Sequence, residues 1–106
     1  MKTIFLAIFF GLAASGLHAQ TTFTRITTGA IVTDEMDSQS CSWVDYDNDG
    51  DLDLFVTNET TNNALYQNNG DDSFTRITSA VIVSDFGGSP TWGDYDNDGD
   101  LDLFCC

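Results

Sequence analysis

The chain has 106 residues, enough for one small domain, and 17 acidic against 3 basic residues give it a formal net charge of −14. This charge argues against nucleic acid and anionic membrane surfaces as partners, because both need basic patches, and it favours cations. The 42% hydrophobic content argues for a folded domain rather than a disordered acidic segment.

The first predicted element is an export signal over residues 1–19. Lys2 gives a positive start, residues 4–12 form an apolar run too short to span a membrane, and a cleavage point follows Ala19. The alternative is a buried N-terminal helix. Cleavage would remove His18, the only histidine, so the exported chain could build no histidine-based catalytic or zinc site. We expect a secreted or cell-surface protein of bacterial type, with no membrane span after signal removal.

The chain after the signal consists of two copies of one unit. The sequence FTRITTGAIVTD at residues 23–34 matches FTRITSAVIVSD at residues 74–85, an offset of 51, and an aspartate-rich stretch returns at an offset of 49. A period of about fifty residues is typical of propellers and arrays rather than of a compact α/β domain. We therefore assign residues 20–73 to a first repeat and residues 74–106 to a second, truncated repeat.

Local signals within the unit indicate short antiparallel strands. Residues 52–57 are rich in β-favouring side chains, and residues 64–67 and 74–77 flank the turn-rich residues 68–72, which predicts a hairpin. No stretch after Gln20 shows a sustained helical period. The predicted fold class is all-β: antiparallel β-repeats that form about two blades of an incomplete β-propeller, preceded by a signal-peptide helix.

The sequence DYDNDGDLDLF occurs at residues 45–55 and again at residues 94–104, and it predicts a metal-binding loop. Five carboxylates so close together repel one another unless positive charge lies among them. With the first aspartate as position 1, odd positions can face a shared centre, and glycine at position 6 permits a sharp turn. The candidate ligands are the side chains at positions 1, 3, 5 and 9 and the carbonyl at position 7: Asp45, Asp47, Asp49, Asp51 and Asp53, and then Asp94, Asp96, Asp98, Asp100 and Asp102.

The chemistry of these ligands favours calcium. An all-oxygen set selects a hard cation, and a flexible set of many oxygens favours Ca²⁺ over Mg²⁺, so we expect two calcium sites, one in each repeat. The alternative is a solvated acidic turn without an ion, which two identical copies make less expected. An EF-hand is excluded because position 12 is Val56 or Cys105 and the flanks are strands. We therefore expect a calcium loop inside a β-hairpin.

Cysteine usage indicates no further site. The cysteines are Cys41, Cys105 and Cys106. The adjacent pair cannot bond to each other without strain, and the spacing fits no zinc pattern. We expect Cys41 to be buried as a small apolar residue and the terminal pair to be incidental.

Two further residue types recur at equivalent repeat positions. Trp43 and Trp92 each lie two residues before an acidic loop, and we expect them in the core rather than stacked on a sugar. Arg25 and Arg76 are expected to pair with nearby acids.

These motifs resemble the FG-GAP (VCBS) repeat, the blade of integrin α-type β-propellers and of many secreted bacterial proteins. The pattern W-x-D-Y-D-N-D-G-D-L-D-L-F carries the resemblance, residues 86–90 (FGGSP) approach the Phe-Gly-Gly-Ala-Pro of the family name, and residues 63–71 resemble its linker. The first copy lacks the Phe-Gly-Gly stretch, so its turn should differ. The resemblance implies calcium ligands at Asp45, Asp47, Asp49, Asp53 and their second-copy counterparts.

The leading interpretation is a secreted calcium-binding module that binds or adheres to an extracellular protein or glycan, both of which the resemblance allows as partners. A catalytic role is not expected, because the chain after the signal has no histidine or lysine and its clustered carboxylates are committed to metal. The alternatives are a fragment of a larger secreted propeller enzyme, a hydrolase or lyase, and a chain without function on its own. Propellers close with about 4–8 blades, so two repeats are expected to be a fragment. Its calcium-free form is expected to be largely disordered or aggregated.

Overall fold

The computed structural model describes residues 24–106, so the predicted signal segment and the first residues of the first repeat lie outside the described residues. The all-β antiparallel prediction is confirmed, with two sheets of four and two strands. The elements in chain order are α1 (Ala30–Thr33), β1 (Ser38–Val44), β2 (Asp53–Asn58), β3 (Ala64–Asn68), β4 (Phe74–Ile77), a 3₁₀ turn (Val81–Val83), β5 (Pro90–Gly93) and β6 (Asp102–Cys105).

The first sheet is a meander in the order β1-β2-β3-β4, which is the strand arrangement of one propeller blade. Val44 pairs with Asp53, so β1 and β2 form a hairpin around the first acidic loop. Asn68 pairs with Phe74, which confirms the hairpin predicted across residues 68–72. Residues 45–52 and 69–73 connect these strand pairs, so strands that are neighbours in the sequence are also neighbours in the sheet.

The second sheet repeats the first hairpin. Gly93 pairs with Asp102 and Trp92 with Leu103, so β5 and β6 enclose the second acidic loop. A single helical turn precedes each hairpin, α1 in the first repeat and the 3₁₀ turn in the second. These turns were not predicted, because three or four residues are too few to show a helical period.

The first sheet crosses the sequence boundary between the repeats. Strand β4 opens the second repeat by sequence, yet it pairs with β3 of the first repeat. Residues 24–26 of the first repeat match β4 in sequence but do not form a strand. Within residues 24–106 no strand pairs with them. The division at residue 73 therefore separates sequence repeats and not sheets, and as a division into domains it stays a prediction.

One face of the first sheet packs against the second repeat. Side chains alternate between the two faces of a strand. Phe55 and Leu65 form a buried cluster with Val83 of the 3₁₀ turn, and half-buried Trp92 and Leu103 of the second sheet pack against it. The Trp92 ring meets Phe55 edge-on, with 5.6 Å between the ring centroids. The two sheets are therefore stacked through aromatic and aliphatic side chains.

The opposite face of the first sheet packs against the segment that contains α1. Val56, Ala64 and Tyr66 are buried there, with Ala30 and Ile31 of α1 packed against them. Apolar burial thus holds the helical turn against the sheet.

A polar cluster ties the same segment to the sheet. The Tyr66 hydroxyl donates to Asp34 Oδ2 at 2.9 Å, and Arg76 Nη1 lies 3.0 Å from the same oxygen. The predicted pairing of Arg76 with an acid is confirmed, whereas among the described residues Arg25 forms no ion pair.

Two burial predictions need correction. Cys41 is exposed rather than buried, because β1 is an edge strand and its outer residues have no neighbour to cover them. Trp92 lies in the core contact as predicted, but Trp43 at the equivalent position is 55% exposed. No sheet within residues 24–106 covers the face on which Trp43 lies, as the first sheet covers Trp92.

Candidate metal centre

Each acidic loop connects the two strands of a hairpin, and these strands fix the positions of its first and last residues. Position 1 directly follows the first strand, and position 9 is the first residue of the second strand. The loops turn through left-handed backbone at positions 4 and 6, with φ of 58° at Asn48 and 94° at Gly50, and 61° at Asn97 and 98° at Gly99. The positive φ predicted for the position-6 glycine is confirmed, and asparagine tolerates the same region at position 4.

The first loop is held by carboxylates that accept backbone hydrogen bonds. Asp45 Oδ1 accepts from the Asp49 amide at 3.0 Å, and Asp45 Oδ2 accepts from the Gly50 amide at 3.1 Å. Asp49 Oδ1 accepts from the Asp51 amide at 2.9 Å. Short polar side chains that bond to nearby amides fix a tight turn.

The second loop repeats these bonds. Asp94 accepts from the amides of Asp98 and Gly99 at 3.1 Å each, and Asp98 Oδ1 accepts from the Asp100 amide at 2.9 Å. The Asp98 amide also donates to Asp96 Oδ1 at 3.2 Å, a bond that the first loop does not share. The other internal bonds are the same in both loops, although the surroundings differ. The eleven-residue sequence therefore determines the loop geometry locally.

The position-9 aspartates differ in their environment. Asp53 is fully buried, and its two oxygens accept from the Tyr46 amide at 3.1 Å and the Asn68 amide at 2.8 Å. Burial raises the pKa of the Asp53 carboxyl, and the nearby charges of Asp47 and Asp49 add to this, although both hydrogen bonds oppose it.

Asp102, the second-copy counterpart of Asp53, is exposed and accepts from the Tyr95 amide at 2.8 Å. In both copies the position-9 aspartate therefore accepts a hydrogen bond from the backbone amide at position 2 of its loop. The second hydrogen bond, from the amide in β3, is made by Asp53 of the first copy.

Carboxylate oxygens converge in both loops. Oxygens of Asp45, Asp47 and Asp49 lie within 4.8 Å of one another, as do those of Asp94, Asp96 and Asp102. Positions 1 and 3 converge in both copies, position 5 in the first and position 9 in the second. The remaining predicted ligands lie outside these groups: Asp51, Asp53, Asp98 and Asp100.

The side chains at position 7 do not join either group, in agreement with a ligand role confined to the backbone carbonyl. One of them has a different contact. Asp100 Oδ1 accepts from Asn48 Nδ2 at 2.8 Å, so the two loops touch each other. Gln67 Nε2 also donates to Asp47 Oδ2 at 2.6 Å. Sequence reasoning missed Asn48 and Gln67, and only the asparagine at position 4 of both copies hinted at a role.

The charge balance of the loops fits a cation. Within residues 24–106 the basic side chains are Arg25 and Arg76, and neither forms an ion pair with a loop aspartate. The loop carboxylates accept hydrogen bonds from backbone amides and from the side-chain amides of Asn48 and Gln67, and these uncharged donors do not neutralise the charge. An all-oxygen donor set of this kind suits a hard divalent cation.

The fold and the paired acidic loops define an all-β repeat protein of the propeller-blade type. A family model described as FG-GAP-like repeat matches residues 45–105, more than half of the chain, and the chain belongs to this family. The resemblance read from the motif is thereby confirmed. Searches of curated proteins and of solved structures found no match. Within residues 24–106, no helix is both long and apolar enough to cross a membrane.

Proposed function

We propose that this protein is an exported calcium-binding repeat module in which each acidic loop holds one Ca²⁺. The observation that carries the proposal is the pair of loops whose position-1 carboxylates accept the same two backbone hydrogen bonds and whose carboxylates converge. Converging carboxylates repel one another, and a cation between them relieves that repulsion. Membership of the FG-GAP-like repeat family supports the same assignment.

The proposed ligands are four side chains and one carbonyl in each loop. In the first loop they are Asp45, Asp47, Asp49, Asp53 and the carbonyl of Asp51, and in the second Asp94, Asp96, Asp98, Asp102 and the carbonyl of Asp100. Bound calcium supplies the positive charge that offsets carboxylate repulsion, so its binding free energy adds to the free energy of folding. The backbone amides of each loop donate to the position-1 carboxylate and so fix the orientation of this proposed ligand.

We propose a binding role rather than a catalytic one, with an extracellular protein or glycan as the partner. The predicted export signal and the family support this role. Residues 24–106 contain no histidine or lysine, and the clustered carboxylates have a use in holding metal. A calcium-independent hydrolytic activity in the purified protein would instead favour the enzyme alternative.

Calorimetric titration with Ca²⁺, followed in parallel by circular dichroism, tests the metal assignment. We expect two sites per chain and a gain of β signal on binding. Asp45→Asn and Asp94→Asn should each abolish one site, because position 1 converges with position 3 in both loops. Asp51→Asn is the matched control and should keep both sites, because position 7 offers the ion its backbone carbonyl, which asparagine retains.

Two results would contradict the proposal. One is the absence of binding heat in the unmodified protein at millimolar calcium. The other is an equal loss of affinity in Asp45→Asn and Asp51→Asn, which would mean that general negative charge, and not the loop geometry, attracts the ion.

A further inference from the structure

The three carboxylates that converge in the first acidic loop are not held in the same way. Asp45 accepts from two loop amides, at 3.0 Å and 3.1 Å, and Asp49 accepts from the Asp51 amide at 2.9 Å. Asp47, at position 3, accepts no backbone hydrogen bond from residues 24–106. The backbone of the loop therefore does not fix the orientation of this carboxylate.

A glutamine from a neighbouring strand supplies the missing bond. Gln67 of β3 donates from Nε2 to Asp47 Oδ2 at 2.6 Å. A carboxylate only accepts hydrogen bonds, so the amide nitrogen of the glutamine, and not its amide oxygen, must face it. The two residues are 20 positions apart in the sequence, so the contact is absent from the loop sequence itself.

The strand that carries Gln67 has a fixed position beside the loop. Strand β3 lies between β2 and β4, and Gln67 pairs with Thr75 of β4. The next residue, Asn68, donates its backbone amide to Asp53 Oδ1 at 2.8 Å and its side-chain amide to the Leu52 carbonyl at 3.2 Å. Strand β3 therefore bonds to positions 3, 8 and 9 of the loop. A side chain on such a strand is placed more precisely than one on a loop.

The chemistry of this donor suits the support of a metal ligand. Carboxylates that ligate metals are themselves hydrogen-bonded, and this bond orients them toward the ion. The neutral amide of Gln67 orients Asp47 without bringing positive charge to the site. A lysine or arginine in its place would repel the cation that the loop is proposed to hold.

We propose that Gln67 is a positioning residue of the first calcium site, which holds the Asp47 carboxylate in the orientation that the ion requires. This role rests on the proposed function of the acidic loops. Gln67 binds Oδ2 of Asp47 and leaves the other oxygen available to the ion. Gln67 acts through Asp47 and is not itself a ligand.

Calcium affinity at the first site alone tests this role, in the complete chain carrying Asp94→Asn to remove the second site. Gln67→Met keeps the length of the side chain and removes the donor, so calcium should bind about tenfold more weakly. Gln67→Asn keeps an amide that is one methylene too short to reach Asp47, and it should show a similar loss. Thr75→Val is the matched control, because it removes a hydroxyl beside Gln67 that donates to Asn69 and not to the acidic loop, and it should leave the affinity unchanged.

The second site separates a positioning role from a general loss of structure. With Asp45→Asn in place of Asp94→Asn, the second loop is the site that remains, and Gln67→Met should leave its calcium affinity unchanged. Luminescence lifetimes of Tb³⁺ in H₂O and D₂O report how many water molecules the ion binds. At the first site this number should rise in Gln67→Met, because a carboxylate that is not held gives its position on the ion to water.

The outcomes distinguish this role from the proposed function. If Asp94→Asn binds no calcium, the proposed function fails and the role fails with it. If Asp94→Asn binds calcium and Gln67→Met does not weaken that binding, the role alone is refuted. An equal loss at both sites would also refute it, because Gln67 would then support the fold and not the ligand. Circular dichroism in calcium checks folding, and Gln67→Asn, which stays polar, takes the place of Gln67→Met if the latter is unfolded.

Discussion

The carboxylate of Asp53 accepts a hydrogen bond from the backbone amide of Asn68 at 2.8 Å, and this bond joins the acidic loop to the next strand of the sheet. The other oxygen of Asp53 bonds back to the loop at Tyr46. One buried side chain therefore links β2, the loop and β3. This link is separate from any ligand role, and its loss should be measurable.

Asp53→Ala should destabilise the protein far more than Asp102→Ala. The first substitution leaves two amides without their acceptor in the buried environment of Asp53, which costs about 2–4 kcal/mol, whereas Asp102 is exposed. Urea unfolding in saturating calcium measures the difference. If position 9 acted only as a metal ligand, the two variants would lose equal stability, and that result would contradict the link.

Gly50→Ala should lower the free energy of unfolding by about 1–2 kcal/mol. The φ of Gly50 is 94°, where a Cβ is strained even though nothing lies within 4 Å of it. Gly93→Ala is the matched control, because Gly93 also has open space but no positive φ. Thermal unfolding should separate the variants by about 4–8 °C per kcal/mol. Equal melting temperatures would mean that the turn relaxes freely.

Stability should depend on Tyr66 at alkaline pH. Burial, followed by the hydrogen bond to Asp34, raises the pKa of Tyr66 from 10.0 to about 12. Because the folded pKa is the higher one, the stabilisation is complete below pH 10 and is lost as pH rises from there through about 12.

Tyr66→Phe cannot lose a proton at this position, so it should lack this part of the pH dependence. The stability difference between the unmodified protein and Tyr66→Phe should shrink by about 2–3 kcal/mol across the interval. Urea unfolding at several alkaline pH values measures it. Parallel curves for the unmodified protein and Tyr66→Phe would refute the prediction.

Trp92→Ala should loosen the second sheet from the first, whereas Trp43→Ala should cost little. Trp92 contacts Phe55 and bonds to Ser42, so its truncation opens the cluster between the sheets at a cost of about 2–3 kcal/mol. Trp43 is mostly exposed, and its truncation should cost under about 1 kcal/mol. Hydrogen exchange of β5 and β6 amides should rise in Trp92→Ala alone. Unchanged exchange there would show that other contacts hold the sheets together.

Local geometry was predictable from the sequence and burial was not. The turn at Gly50, the hairpin around each acidic loop and the β3–β4 hairpin depend on a few adjacent residues, and all are present. Asp53 and Asp102 occupy identical eleven-residue sequences, yet one is buried and the other exposed. Their difference comes from β3, a neighbour that the loop sequence does not contain.

The same reason explains why the two tryptophans differ in burial and why the burial prediction for Cys41 was wrong. Trp43 and Trp92 have equivalent positions, but within residues 24–106 Trp92 packs against the other sheet, whereas Trp43 contacts Phe74 of its own sheet, with 6.1 Å between the ring centroids. Cys41 was expected to be buried from its residue type, and the edge position of β1 decides otherwise. Pairing order and stacking order are long-range properties, which a local pattern does not encode.

The first sheet takes its last strand from the second sequence repeat, and this affects what happens when repeats are added or removed. A duplication that copies whole repeats adds a first strand that completes the sheet before it, as β4 completes the first sheet here. Each new copy is thereby joined to its predecessor by backbone hydrogen bonds as well as by the peptide chain. A chain cut off after residue 73 would lose β4 and leave β3 as an unpaired edge. A shortened chain that keeps the first sheet whole must therefore extend to residue 77.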